Sequence, residues 1–188
     1  MNGYVRAILT IPYGYIKLGA IKILHNKRIV FGKLPRISLN TEITLERGAK
    51  FIVGDKLNMR GTSRIRVRDS AKLTIGNNAY ININSMIACH EKIEIGNDVQ
   101  FGPNVQIYDH DHDFRVKGGI KAGIFKTSPV KIGNNVWLGA NVVILRGTII
   151  GDDCVVAAGA VLKGIYPSET LILGKNETRK IKTEEINE

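Results

Sequence analysis

Aromatic residues are scarce in this chain of 188 residues: they make up 6%, with a single tryptophan, Trp137. A core built on large rings is thereby excluded, and small branched aliphatics must fill the interior. Cysteine is scarcer still. Cys89 and Cys154 sit inside apolar repeats with no metal-ligand partner nearby, and read as buried, reduced thiols suited to a reducing compartment. No helix-turn-helix, RNP or zinc-finger pattern appears, so nucleic acid is not expected as a partner despite a formal net charge of +10. That charge leaves a membrane surface or a phosphorylated small molecule open. No cleavable signal peptide appears. Nor is there an uninterrupted apolar run: Arg6, Pro12, Lys17 and Lys22 break the stretch from Tyr4 to Leu24, whereas a spanning helix takes about 20 mostly apolar residues. Residues 1–35 are expected to form a basic, apolar segment that docks or lies at an interface.

What is plentiful is glycine, 20 residues of it, together with a six-residue rhythm. From Ile132 the chain reads IGNNVW, LGANVV, ILRGTI, IGDDCV, VAAGAV, LKG. Its lead positions are Ile132, Leu138, Ile144, Ile150, Val156 and Leu162, and its fifth positions are Val136, Val142, Thr148, Cys154 and Ala160. At about 100° per residue, six residues leave an α-helix about 240° out of register, so the leads would scatter around it. In a strand an even spacing keeps them on one face. The repeat therefore means β-structure: a short strand and a tight corner per hexad. Ile75, Ile81, Ile87 and Ile93 lead an earlier set, and Ile95, Phe101 and Ile107 a third.

The rhythm stops once. FIVGD, LTIGN, IEIGN and VKIGN recur at Val53, Ile75, Ile95 and Ile132, with spacings of 22, 20 and then 37 residues. No hexad fills residues 113–129, which read as a loop extruded from a regular coil. Two of the four histidines, His110 and His112, stand in DHDHD just before it. Such a tract suits a solvated loop tip, a His-x-His chelate, or a catalytic site.

In these hexads and this interruption the chain resembles the hexapeptide-repeat acyltransferases, above all the maltose- and galactoside-type and polysaccharide O-acetyltransferases. The resemblance implies an all-β, left-handed parallel β-helix over residues 36–174, with the loop at about 113–129 and a charged tail at 175–188. It implies acetyl-CoA as co-substrate, no metal, and a homotrimer with sites at subunit boundaries. His112 matches the family's catalytic base, with His110 beside it in the acceptor site. A hydroxyl is a poor nucleophile at neutral pH, so a base must take its proton as it attacks, and histidine suits this. No Gly-x-Ser-x-Gly elbow or nucleophilic cysteine pattern is present, which favours direct transfer.

Other positions follow from the same resemblance. Asn82 and Trp137 match acceptor-side residues, though Asn82 also suits a plain corner and Trp137 is too large to point into so narrow a coil. His90 falls where relatives carry an acidic contact, a departure bearing on the sugar accepted. Ala140 and Ala158 match residues whose backbone holds the pantetheine arm. Lys163 matches a basic residue near the phosphates of CoA, and Arg179, with Lys175 and Lys180, lies where the closing basic turn of the family should be; its usual proline is missing. The expected reading is a cytoplasmic O-acetyltransferase acting on a saccharide of surface polymers, lipid-linked in one version, with residues 1–35 near membrane. Rival readings are a zinc enzyme of the carbonic anhydrase kind, a serine, antibiotic or nucleotide-sugar acyltransferase, and a non-catalytic β-helical scaffold.

Overall fold

Hexads with inward leads at even spacing can bury those leads only if successive strands wrap one interior, and this is what the chain does. The computed structural model describes residues 3–174 and 177–180. Three parallel sheets form the faces of a solenoid. The first face stacks Ile29–Phe31, Lys50–Val53, Lys72–Ile75, Lys92–Ile95, Val130–Ile132, Ile149–Ile150 and Ile165–Tyr166. The second stacks Arg36–Ile37, Asn58–Met59, Tyr80–Ile81, Gln100–Phe101, Trp137–Leu138, Val155–Val156 and Thr170–Gly174, with Glu177–Lys180 added antiparallel at its end. The third runs from Glu42–Leu45 to Val161–Leu162 through six strands, which marks six complete coils.

The lead and fifth positions fill the interior. Ile132, Leu138, Ile144, Ile150, Val156 and Leu162 are buried, as are Val136, Val142, Thr148, Cys154 and Ala160. The one hydroxyl among them is satisfied, because Thr148 Oγ1 donates to the carbonyl of Leu145. Burial pushes both cysteine thiols up from their ordinary value, as inert interior side chains require.

Between the first and second faces every coil turns through Gly-Asx or a variant of it. The residue after the Asx takes a positive φ: 57° at Asn78, 59° at Asp98, 52° at Asn135 and 57° at Asp153. Asn and Asp tolerate that conformation best after glycine. Their neighbours form a ladder, in which the backbone N–H of Asp55, Asn77, Asn97 and Asn134 donates to Oδ1 of Asn77, Asn97, Asn134 and Asp152 on the next coil. The preceding glycines pack backbone to backbone. A Cβ at Gly76 would lie 2.6 Å from Gly96, and one at Gly133 2.6 Å from Gly151, closer than real contacts allow.

Two features differ from expectation. The solenoid begins at Ile29, within the segment assigned to the N-terminus, and the chain is not purely β. Gly3–His25 forms one α-helix, α1. Edge strands of a solenoid expose unpaired backbone and apolar leads and need cover. α1 supplies it, burying Leu18 in the common core beside Ile29 and Ile37. Tyr13 Oη donates to the carbonyl of Leu39, and Lys17 Nζ to that of Thr41.

The interruption is an arm. His110–His112 pairs antiparallel with Phe125–Thr127, with a 3-10 turn at Gly119–Ala122 between them. The coil itself closes beneath it: Gly96 N donates to the carbonyl of Ile132 at 2.9 Å.

Candidate active site

The arm leaves the third face at its corner with the first, and strand alternation decides which way each side chain points there. Ile107 is inward and Tyr108 outward, so Asp109 is inward again and fully buried. A buried carboxylate is costly unless its oxygens are occupied. Here they are: the backbone N–H groups of His90, Glu91 and Lys92 each donate to Asp109 at 2.8 Å, and His110 Nδ1 stands 3.2 Å away. Burial alone would raise the Asp109 pKa, but the bond from His110 and the three amides outweigh it and hold the carboxyl below its usual range. The other two aspartates of the tract also brace the arm. Asp111 accepts from Arg146 Nε at 2.6 Å, and Asp113 pairs with Lys126 at 3.1 Å.

The histidines between them are placed differently. The side chain of His110 keeps only 13% of its surface exposed. It stacks on His90 with ring centroids 3.5 Å apart and planes 19° from parallel, and its edge meets Phe125. Burial first, and the neighbouring His110 second, lower the His90 pKa to about 4, so His90 is neutral at pH 7. His112 is exposed and rests its ring against Phe125 at 4.5 Å, and that ring has no hydrogen-bond partner among the described residues.

The remaining expected positions fall at two corners. Trp137 lies on the second face and is 57% exposed. Asn82, Ala140 and Ala158 follow at the corner between the second and third faces. Asn82 Oδ1 accepts from Ile83 N at 2.9 Å, a corner-capping bond that leaves its amide nitrogen available. The carbonyl of Ala140 accepts from Gly159 N at 2.8 Å, whereas the N–H groups of Ala140 and Ala158 donate to no acceptor among the described residues. Lys163, by contrast, leaves the third face at the corner that carries the histidines, one hexad further round than Ala158. Six extended residues span up to about 20 Å, so a single chain does not bring Lys163 or His112 to Trp137, Ala140 and Ala158. The backbone of Arg179 pairs with Leu171; its side chain, and Lys175, lie outside the described residues. No group of three or more metal-ligating side chains is gathered among the described residues.

With this geometry in hand, residues 129–164 match the model of the bacterial transferase hexapeptide (six repeats). These residues carry the hexapeptide repeat of the bacterial transferases. Hexapeptide repeats fit a left-handed β-helix, the winding that the resemblance implies. The chain is 34% identical over 108 residues to a galactoside O-acetyltransferase of Escherichia coli K12, covering 55% of this chain and 51% of that one. It is 35% identical over 130 residues to an E. coli K12 protein provisionally named as a lipopolysaccharide biosynthesis O-acetyl transferase, covering 65% and 62%. A hexapeptide-repeat acetyltransferase of Vibrio cholerae O1 biovar eltor, solved with acetyl coenzyme A, superposes with a TM-score of 0.54 at 22% identity, over 91% of this chain and 87% of that one; this likeness carries the fold. The chain spans about half the length of most curated relatives it matches.

Residue types alone did not single out Asp109, Phe125 or Arg146. The signal for Asp109 was present: its even offset from the inward Ile107 marks it as an interior carboxylate.

Proposed function

We propose that this protein moves an acetyl group from acetyl-CoA to a hydroxyl of a saccharide in surface-polysaccharide assembly, in the cytoplasm, with His112 as general base. The observation that carries this reading is the division of labour in DHDHD. The three aspartates and His110 are engaged in holding the arm, and His112 alone presents an imidazole to solvent with no hydrogen-bond partner among the described residues. The acceptor hydroxyl attacks the thioester carbonyl while His112 removes its proton; collapse of the tetrahedral intermediate breaks the C–S bond, and the proton passes to the departing thiolate of CoA. The unengaged N–H groups of Ala140 and Ala158 suit the amide carbonyls of the pantetheine arm, with Trp137 beside them. Lys163 and the basic residues near Arg179 are assigned to the CoA phosphates.

Because the histidine corner and the Trp137 corner are separate edges of one prism, a complete site takes its halves from two chains. A closed homotrimer supplies three such sites. The relatives' names support a saccharide acceptor: one is a galactoside O-acetyltransferase, and the other is named for lipopolysaccharide biosynthesis.

The test is release of CoA thiol by the full chain over a panel of mono- and oligosaccharides, with serine, an aminoglycoside and a nucleotide sugar as rival acceptors. At least one saccharide should support turnover. His112→Ala should lower kcat by about 10²–10⁴-fold with acetyl-CoA binding retained. His110→Ala should cost less; if it costs more, with fold and acetyl-CoA binding intact, the base is the Asp109-bound His110. A preference for a rival acceptor would overturn the saccharide assignment.

A further inference from the structure

α1 is apolar on both sides. Its inner face packs on the first coil through Leu18 and Gly14, where a Cβ would strike the carbonyl of Pro35. Its outer face carries Ile8, Leu9, Pro12, Ile16, Ala20 and Ile23, all exposed, with Ile16 at 69% and Ile23 at 84%. These residues recur three and four apart and so share one side of the helix, and no charged residue interrupts them. Lys17 and Lys22 fall at the two borders of this stripe. A soluble helix normally turns charge outward; one that is apolar all round is buried or meets lipid.

The surrounding charge selects between those occupants. The first 41 residues contain seven Lys or Arg and no Asp or Glu, which accounts for most of the formal net charge of +10. Lys33 and Arg36, both exposed, continue the basic border on the coil just beneath the helix, beside the exposed Leu34 and Leu39. A second copy of the same face would bring like charges together, whereas an anionic bilayer receives both the stripe and its border. Residues Ala7–His25 are also long and apolar enough to cross a membrane, but Leu18, Tyr13 and Lys17 tie the middle of this helix to the end of the solenoid. That geometry suits a helix lying in the interface.

We propose that the outer face of α1 docks the protein, as a peripheral attachment, on an anionic lipid surface. Ile8, Leu9, Ile16 and Ile23 enter the headgroup region and the basic border contacts lipid phosphates. The proposal stands independently of the acyl-transfer reading.

The experiment is vesicle flotation of the full chain, using phosphatidylcholine vesicles alone and vesicles containing about 30% phosphatidylglycerol, at low and high salt, with Ile16→Asp/Ile23→Asp and, as control, Ile165→Asp on the far end of the first face. One basic side chain near an anionic surface is worth about fivefold in partitioning, so the anionic vesicles should bind at least about tenfold more protein than the neutral ones. Salt should erode that difference. The double variant should lose about tenfold or more while keeping the sedimentation mass of the wild type, and Ile165→Asp should bind as wild type does. Equal binding to both vesicle types would overturn the proposal, as would an unaffected double variant. A double variant that changes its sedimentation mass while still floating would make the face a contact between copies, and wild type that resists alkaline carbonate extraction would make α1 a span; either result overturns it.

Discussion

Two corners of the same solenoid use the same bond for different ends. At the corner between the first and second faces, an Asx oxygen accepts one backbone N–H from the neighbouring coil, and the arrangement repeats from Asp55 to Asp152. At the corner between the third and first faces, Asp109 accepts three N–H groups from the coil below, and no other coil copies it among the described residues. The first pattern shares its work among equivalent residues, so each contributes modestly. The second concentrates it in one buried carboxylate, which seals the coil and holds the root of the arm against it. Where support is repeated the structure is being maintained; where it is gathered at one residue, something is being positioned.

The sharpest way to break this contrast is Asp109→Ala. It removes three hydrogen bonds to a fully buried carboxylate, each worth about 1.5–3 kcal/mol as a bond to a charged group, so urea unfolding should show a loss of at least about 3 kcal/mol, and hydrogen exchange should accelerate at His90, Glu91 and Lys92. Gly133→Ala comes next. Its methyl group would meet backbone of Gly151 that cannot withdraw, an overpacking cost of about 1–3 kcal/mol. Asn134→Ala removes one rung of the ladder and should cost about 1 kcal/mol by the same measurement. A cost at Asn134 equal to that at Asp109 would dissolve the distinction.

The remaining effect is in pH. The unfolded chain protonates His90 near the ordinary histidine value of about 6.5, whereas the folded chain does so only near 4. The unfolded state therefore holds more protons through that interval, and stability falls as pH drops across it. Asp109, whose folded pKa is depressed, adds its loss only below the ordinary carboxylate range, as pH falls toward its own folded value. His90→Phe keeps a ring for His110 to stack on and should flatten the upper part of the decline, from about 6.5 to 4, in pH-dependent denaturation, leaving the acid part in place.

Much of this was legible in the order of residues. The hexad leads announced the strands, their even spacing announced one interior, and the gap of 37 residues between Ile95 and Ile132 announced the arm. The helix was harder to see. Residues 4–24 are apolar on every side, and a pattern without a polar face gives no periodicity to read. The early coils were also blurred, because the 22-residue spacing from Val53 to Ile75 departs from the 18 of three strict hexads. The separation of Lys163 from Ala158 could have been counted, since five residues carry the chain almost one whole face onward. The role of Asp109 could not be weighed from composition, because its partners are backbone groups of His90, Glu91 and Lys92, and any residues there would present the same N–H.

The bridge from Gly96 to Ile132, and from Asn97 to Asn134, joins neighbours that are 36 and 37 residues apart as though nothing lay between them. The stretch from Phe114 to Ile124 thus hangs outside a ring already closed. Doubling such an excursion costs only about 0.6 kcal/mol in closure entropy, so the scaffold is indifferent to its length and largely to its composition. The arm is an interchangeable part: its tip can be lengthened, shortened or exchanged with the barrel of coils left untouched, provided that Asp109 keeps its grip at the root.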